Sequence, residues 1–305
     1  MTMPWKGARV LVTGASGFIG GYLMDALAQH GASVTALITG RKGLGRRDVG
    51  QAIGNVADPA SLKGVCRDVD VVYHLAAISN VAKAVQNPAL TLSTNTFGTM
   101  NMLEEARLSN VKKFVYVSSA HVYGAPQYLP VDEAHPVVPR EPYAASKIAS
   151  EKIVEAYGNA YGMDYAIIRP FNVYGPGQDE SFLIPGVIKQ ALKGKEIRVG
   201  NVSPTRDFLY VEDCVEGFLV IGDAGSGVYN IGSGEEIRIQ DLVEKIRDMI
   251  DPSIPILSDN ERMRAGKVEI PRMLADVSKL KRLGWSPKIG LEEGLARTIS
   301  KERYR

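Results

Sequence analysis

The sequence predicts an α/β protein in which a doubly wound parallel sheet carries a smaller C-terminal α/β lobe. Three observations predict it. Arg9 to Thr13 is a short apolar run that breaks into a glycine-rich turn and then a helical pattern, and strand-length apolar runs go on alternating with helical stretches as far as Pro170. A chain of 305 residues can bury one large core and a second lobe. The expected boundary puts residues 1–170 in the first unit, with 201–228 returning to it, and 171–305 mainly in the second.

Composition narrows the function classes. A formal charge of +2, with no long basic run, argues against nucleic acid as the main ligand. Cys66 and Cys214 are far apart and in no metal-ligand spacing, so they read as reduced, buried thiols, and no zinc site is expected. Met1 to Arg9 lacks the apolar core of a signal peptide, and no apolar run reaches the roughly 18 residues of a membrane span. The expectation is a soluble, cytoplasmic protein without a membrane partner.

The first strand ends in Gly14-Ala15-Ser16-Gly17-Phe18-Ile19-Gly20, after which Leu23, Ala26 and Leu27 recur at helical spacing. Glycines in this pattern allow a tight turn and close approach of backbone to a pyrophosphate, whose charge then meets a helix N-terminus. The second strand, Ser33 to Ile38, ends without the carboxylate that favours an NAD ribose, and Thr39-Gly40-Arg41-Lys42 follows. A missing carboxylate with two cations behind it fits a 2′-phosphate, so NADP is preferred over NAD; the plain alternative is a solvated basic loop.

Gly54-Asn55-Val56 is expected to end the third strand, where a short polar side chain meets adenine. Asp70 to Ala77 reads as a fourth strand running into small residues, with His74 structural rather than catalytic. A helical pattern from about Ala89 to Leu108 contains Asn95, either a structural hydrogen bonder or a site residue. Lys113 to Ser119 is the fifth strand and brings two hydroxyls to the carboxyl edge, where open α/β sheets bind ligands. Five prolines between Pro126 and Pro142 mark an irregular loop, and Asp164 to Arg169 is a sixth strand stopped by Pro170.

Phe171 to Gly177 reads as turn chemistry. It is followed by a helix from Phe182 to Lys193, a strand near Ile197, a segment from Arg206 leading into a helix through Val220, a strand at Val228–Ile231, a helix from Ile239 to Ile250 and a last helix from Leu291. There is no second glycine fingerprint, so this half is expected to hold substrate rather than another nucleotide.

The reactive stretch is Tyr143-Ala144-Ala145-Ser146-Lys147, because four residues is one helical turn and places a phenol and an ammonium on one face. A nearby Lys⁺ stabilises a phenolate and brings it toward the working range of a proton carrier. Ser119 supplies a second hydroxyl.

Taken together, Thr13 to Gly20, His74 to Ala77, Asn95 with Gly98-Thr99, Ser118 to Gly124, Tyr143-x-x-x-Lys147, Arg169 to Gly177, Arg206-Asp207-Phe208 and Tyr229 to Gly232 resemble the extended short-chain dehydrogenase/reductases of the nucleotide-sugar epimerase/dehydratase family. The resemblance covers nearly the whole chain and implies a Rossmann-type fold and hydride transfer at sugar C4. It implies Tyr143 as acid/base, Lys147 as the residue that positions the nicotinamide ribose, and Ser119 as the partner of the reacting oxygen. On the cofactor side it implies Gly14, Ser16 to Gly20, Thr39, Arg41, Lys42, Asn55, Val56, Leu75 to Ala77, Asn95, Val117 and Pro170. On the substrate side it implies Ser79, Ala120 and His121, with Asn172 and Arg206 on the diphosphate. A homodimer is expected through the helix after Ala89 and the Tyr143 helix.

Ala120 and His121 stand where related 4,6-dehydratases carry carboxylates. The expected reaction is therefore NDP-hexose 4-epimerisation, with NADPH-dependent reduction of a 4-keto sugar, and then dehydration using His121, as alternatives. Asn95 is a further catalytic candidate. Glu196 to Asn201, Arg206 to Phe208 and Arg262 to Asp276 lean toward the GDP-mannose dehydratase and GDP-4-keto-6-deoxymannose reductase branch. A non-catalytic NADP sensor is a remote alternative, disfavoured because Ser119, Tyr143 and Lys147 are all present.

Overall fold

The computed structural model describes residues 5–40, 44–46, 48–259 and 270–304; Arg41, Lys42 and most of the tract from Arg262 to Asp276 lie outside them. The first half runs β1 (Arg9–Thr13), α1 (Phe18–Gln29), β2 (Ser33–Ile38), β3 (Gly50–Ile53), β4 (Val71–His74), α2 (Val81–Gln86), α3 (Pro88–Leu92), α4 (Gly98–Leu108), β5 (Lys113–Val117), α5 (Pro142–Tyr161) and β6 (Asp164–Pro170). The second runs β7 (Asn172–Tyr174), α6 (Leu183–Leu192), β8 (Ile197–Val199), β9 (Thr205–Tyr210), α7 (Val211–Ala224), β10 (Gly227–Ile231), β11 (Glu236–Arg238), α8 (Ile239–Ile250), β12 (Ile256–Ser258), α9 (Ser278–Lys281) and α10 (Leu291–Arg303).

Seven strands form one sheet in the order β10-β6-β5-β4-β1-β2-β3, and every pairing is parallel. The chain fills this sheet outward in two directions from β1, so the crevice between the carboxyl ends of β1 and β4 is the point where its winding reverses. Alternating side chains commit β1 to two cores. Val10 and Val12 join Leu23, Leu27, Phe218 and Ile221 beneath α1 and α7, while Leu11 joins Met102, Leu103, Phe114 and Val154 beneath α4 and α5. Each such fully buried aliphatic side chain contributes roughly 1.5–3 kcal/mol.

Residues after Pro170 build a second core, with Ile184, Ile188, Leu242, Ile246 and Leu295 around the small sheets β11-β9-β7 and β12-β8. They also return to the first sheet. α7 packs on α1, and β10 pairs with β6 from Gly227↔Ala166 to Ile231↔Pro170.

Several elements differ from the sequence reading. β4 ends at His74 and β5 at Val117, so Leu75–Ala77 and Ser118–Ser119 leave the sheet at its carboxyl edge. β3 stops at Ile53 because Asn55 turns the chain, its side chain accepting from the Ala57 N–H at 3.0 Å. Phe171–Gly177 is not all turn, since Asn172–Tyr174 pairs with β9. The pattern from Ala89 to Leu108 is interrupted by a π-helical turn at Ser93–Phe97. At that turn the Asn95 carbonyl accepts from Thr99 Oγ1 (2.6 Å) and from Ser150 Oγ (3.1 Å), and the second bond ties the helix to α5.

Candidate active site

The glycine turn is shaped by backbone that crosses above it. Gly14 has φ +67°, and a Cβ there would lie 2.8 Å from the Ala76 nitrogen; one at Gly20 would lie 2.3 Å from the Gly14 carbonyl oxygen. Only glycine allows this approach. Thr13 Oγ1 locks the same crossing, accepting from the Leu75 N–H (3.2 Å) and the Ala76 N–H (3.0 Å) and bonding His74 Nδ1 at 2.8 Å. His74 Nε2 lies 3.2 Å from Thr99 Oγ1, and burial holds the imidazole at a pKa of about 3, so it is a neutral structural group as expected.

The turn fits a dinucleotide diphosphate. Gly17 begins α1 without a side-chain cap, and the first helical turn carries no acidic residue. Its N–H groups therefore face the β1/β4 crevice with the positive end of the helix dipole. Ser16 is exposed, and Phe18 and Ile19 are half-buried at the helix entry. At the ribose end, buried Ile38 closes β2 and Thr39 is exposed. Arg46 is engaged by Asp25 and Asp48.

The catalytic candidates meet where β5 ends and α5 begins. Glu141 caps α5, accepting from the Tyr143 N–H at 2.6 Å and the Ala144 N–H at 2.8 Å, and Pro142 pre-sets the first turn. Tyr143, Lys147 and Ser119 are all buried. Lys147 Nζ donates to the Val117 carbonyl at 2.7 Å and lies 5.9 Å from the centre of the Tyr143 ring and 5.0 Å from that of Tyr116. Ser119 caps the short 3₁₀ turn Ala120–Tyr123, its hydroxyl accepting from the His121 N–H at 3.2 Å.

One electrostatic expectation is reversed. Burial pushes the Tyr143 phenol up to about 12, opposed by a hydrogen bond from Ser119, and burial pushes Lys147 down to about 7, opposed by Glu151. Both shifts follow from removal of the two groups from water, which penalises the charged form of each.

Residues 10–232 match the sequence profile of the NAD dependent epimerase/dehydratase family. A putative UDP-glucose 4-epimerase of Methanocaldococcus jannaschii is 36% identical over 300 residues, covering 95% of this chain and 97% of the other. The crystal structure of UDP-glucose 4-epimerase from Thermotoga maritima with UDP-glucose superposes with a TM-score of 0.91 at 29% identity, over 97% of this chain and 99% of that one. RMD from Pseudomonas aeruginosa complexed with NADPH superposes with a TM-score of 0.86 at 33% identity, over 98% and 99%.

This chain belongs to the NAD-dependent epimerase/dehydratase family.

As a member of that family it is an oxidoreductase-type enzyme of nucleotide-sugar chemistry, and its fold is the Rossmann-like α/β fold anticipated from the glycine turn. Of the other epimerase/dehydratase candidates, Leu75, Ala76 and Ala77 pass over the crevice half-buried, while Val117 and Pro170 close two neighbouring strands. Asn55 is exposed, and Val56 is buried with its carbonyl accepting from the Asn101 amide at 2.8 Å. Asn95 clamps rather than reaches outward: its amide takes the Ile78 N–H at 2.8 Å and donates to the Ile78 carbonyl (3.1 Å) and Ser146 Oγ (2.9 Å).

Asn172 and Arg206 are brought onto adjacent strands, because Asn172 on β7 pairs with Phe208 on β9. The Asn172 amide donates to the Asp207 carbonyl at 2.9 Å, and Arg206 Nη1 to the Thr205 carbonyl at 2.8 Å. Ser79 is exposed on the loop after β4, whose next residue, Asn80, reaches Ser181 Oγ at 3.5 Å. Ala120 is buried; His121 is half-buried, with its ring edge-on to Tyr143 at 5.8 Å between centres.

Three residues of the site had no role in the sequence reading. Glu141, the cap of α5, stands 3.7 Å from His121 Nδ1. Glu151 and Arg169 form a fully buried ion pair (2.6 and 2.9 Å) that also holds Ser118 Oγ and, through Arg169 Nη1 at 2.9 Å, the Tyr123 hydroxyl. Glu151 had a legible signal: it continues the 143, 147 stripe by one more helical turn. Glu141 had none, because a glutamate cap falls outside the preferred Ser, Thr, Asp and Asn.

Proposed function

We propose that this enzyme is an NAD(P)-dependent NDP-hexose 4-epimerase acting through a 4-keto sugar. The observation that carries the reading is the convergence of Ser119, Tyr143 and Lys147 at the sheet edge, with only β4 between the end of β5 and the glycine cradle after β1. The dinucleotide, when bound, accepts hydride from sugar C4 and returns it. Tyr143 takes the proton of the C4 hydroxyl and gives it back, Ser119 shares the hydrogen bond to that oxygen, and Lys147 positions the nicotinamide ribose. Ala120 and His121 leave the short turn without the carboxylates an elimination at C5 and C6 would use. Residues 171–305 mainly hold the sugar nucleotide, with Asn172 and Arg206 on the diphosphate, and Ser79, from the loop after β4, touches the diphosphate or the sugar.

A second reading is an NADPH-dependent reductase of 4-keto sugar nucleotides. It is favoured by the end of β2, where Ile38 offers no carboxylate to repel a 2′-phosphate, and for the same reason NADP is the preferred cofactor. Incubation of the chain with UDP-, GDP- and dTDP-hexoses, with NAD and NADP separately, and with their 4-keto forms and NADPH, tests both: inverted C4 at unchanged mass supports the epimerase. Turnover only of 4-keto sugars with NADPH supports the reductase, and loss of one water rejects both.

The partner we propose is a second copy. Leu90, Phe97, Met100 and Leu108 are exposed along α3 and α4, with Tyr161 exposed at the end of α5. These helices would meet their counterparts in a four-helix contact. Sedimentation of Phe97→Glu should show monomer where the parent chain shows dimer; a monomeric parent chain rejects the contact.

A further inference from the structure

We infer that Tyr116 is a positioning residue for Lys147: the face of its ring holds the lysine ammonium charged and in place at the end of β5. Tyr116 is buried beneath the lysine and acts through it rather than on the sugar. The inference rests on the reading in which Lys147 positions the nicotinamide ribose.

Tyr116 ends a row that crosses three strands. Thr13 on β1 pairs with His74 on β4, and His74 with Tyr116 on β5, so the three side chains stand side by side on the face of the sheet that α4 and α5 cover. Thr13 Oγ1 bonds His74 Nδ1 at 2.8 Å, and the imidazole stacks on the Tyr116 ring with 6.0 Å between centres and 27° between planes. The ring is thereby fixed, and Lys147 Nζ lies over it at 5.0 Å from its centre. Because the same threonine locks the crossing above the glycine turn, the row ties the diphosphate cradle to the lysine. Tyr116 is 1% exposed, and its hydroxyl has no hydrogen-bond partner. What the position uses is therefore the ring.

The buried ammonium needs such a partner. It carries three donors, and one goes to the Val117 carbonyl at 2.7 Å, which leaves two for the ribose hydroxyls; loss of the proton would leave one. The charged and titratable groups around it compensate little. Glu151, one turn further along α5, is shared between Arg169 of β6 and the Ser118 hydroxyl. Tyr143 is farther away, at 5.9 Å, and burial keeps it neutral. His74 on β4 is neutral too and adds no repulsion. The negative face of the Tyr116 ring is the nearest compensation left, in an enclosure where such a contact is strongest. Since burial pushes the lysine down to about 7, a further shift of one unit would change its charged fraction at neutral pH about fivefold.

The test reads Lys147 directly in the full chain, by NMR titration of lysine labelled with ¹³C at Cε, its resonance identified by loss in Lys147→Met. Tyr116→Phe keeps the ring and should titrate within about 0.3 pH unit of the parent, whereas Tyr116→Leu removes it and should lower the midpoint by about one unit. A trifluorinated phenylalanine at position 116 keeps the shape but weakens the negative face, and its midpoint should fall between the two. That variant decides the matter if melting curves show that the leucine chain does not fold. The pH above which dinucleotide affinity is lost, read by calorimetry, should move down with the midpoint. Equal midpoints in the parent, leucine and fluorinated chains overturn the inference, as does a shift in Tyr116→Phe as large as that in Tyr116→Leu. Dinucleotide affinity of Lys147→Met judges the ribose role separately: an affinity equal to the parent's sinks that reading, while the titration still decides the ring contact.

Discussion

Lys147 reaches from α5 back to the end of β5, where its ammonium nitrogen donates a 2.7 Å hydrogen bond to the carbonyl of Val117. The bond fixes the distance between the helix that carries Tyr143 and the strand end that delivers Ser119. A lysine held by the sheet in this way cannot swing to follow the phenol; the phenol must be placed against it, and Glu141 and Pro142 do that by starting α5 one residue before Tyr143.

Replacing Tyr143 by Phe removes the proton carrier and leaves the packing. Turnover should fall by roughly 10²–10⁴-fold while dinucleotide affinity, measured by titration calorimetry, changes little. Full turnover in Tyr143→Phe would reject its assignment.

Gly14→Ala should damage the cradle itself. The new methyl would lie 2.8 Å from the Ala76 nitrogen at a φ of +67°. Dinucleotide binding should weaken by at least about tenfold, and stability should fall by more than about 1 kcal/mol in a urea titration.

Acid sensitivity should trace partly to His74. Its pKa is lowered from the ordinary 6.5 to about 3 by burial, so the unfolded chain binds a proton that the folded chain refuses between those values. Stability is then fully present above pH 6.5 and falls as pH drops toward 3, with a slope of about 1.4 kcal/mol per pH unit for this group. His74→Asn should reduce that slope in urea titrations between pH 6.5 and 4, at a cost near neutrality of about 1–3 kcal/mol for the hydrogen bond to Thr99.

Arg169→Met should strand the Glu151 carboxylate in a buried site. Breaking such a pair costs about 3–5 kcal/mol, measured by denaturant unfolding, far more than loss of any exposed pair such as Lys152–Glu155. A loss below 1 kcal/mol would mean that Ser118 and solvent satisfy the carboxylate alone.

The sheet was legible because its strands are continuous apolar runs: β2 was placed residue for residue, and β5 is buried along its whole length. Tyr143 and Lys147 were legible through helical spacing, and Gly14, Gly17 and Gly20 through their place after the first strand. What escaped depends on contacts between distant segments. The strand at Asn172–Tyr174 forms only because β9, more than thirty residues later, supplies its partner. The π turn at Asn95 is held by Ile78, Ser146 and Ser150, none of which a local pattern connects to it. Likewise the pKa reversal at Tyr143 and Lys147 follows from enclosure, which spacing alone does not report.

The position of β10 bears on how this enzyme can be re-engineered. Since the strand at Gly227–Ile231 completes a sheet begun more than two hundred residues earlier, a fragment cut at Pro170 would expose the flank of β6 and strip α7 from α1. Such a fragment should aggregate rather than fold. A new sugar specificity therefore cannot be fitted as an interchangeable tail; donor segments have to be spliced in on both sides of α7 and β10, leaving those two elements with the host.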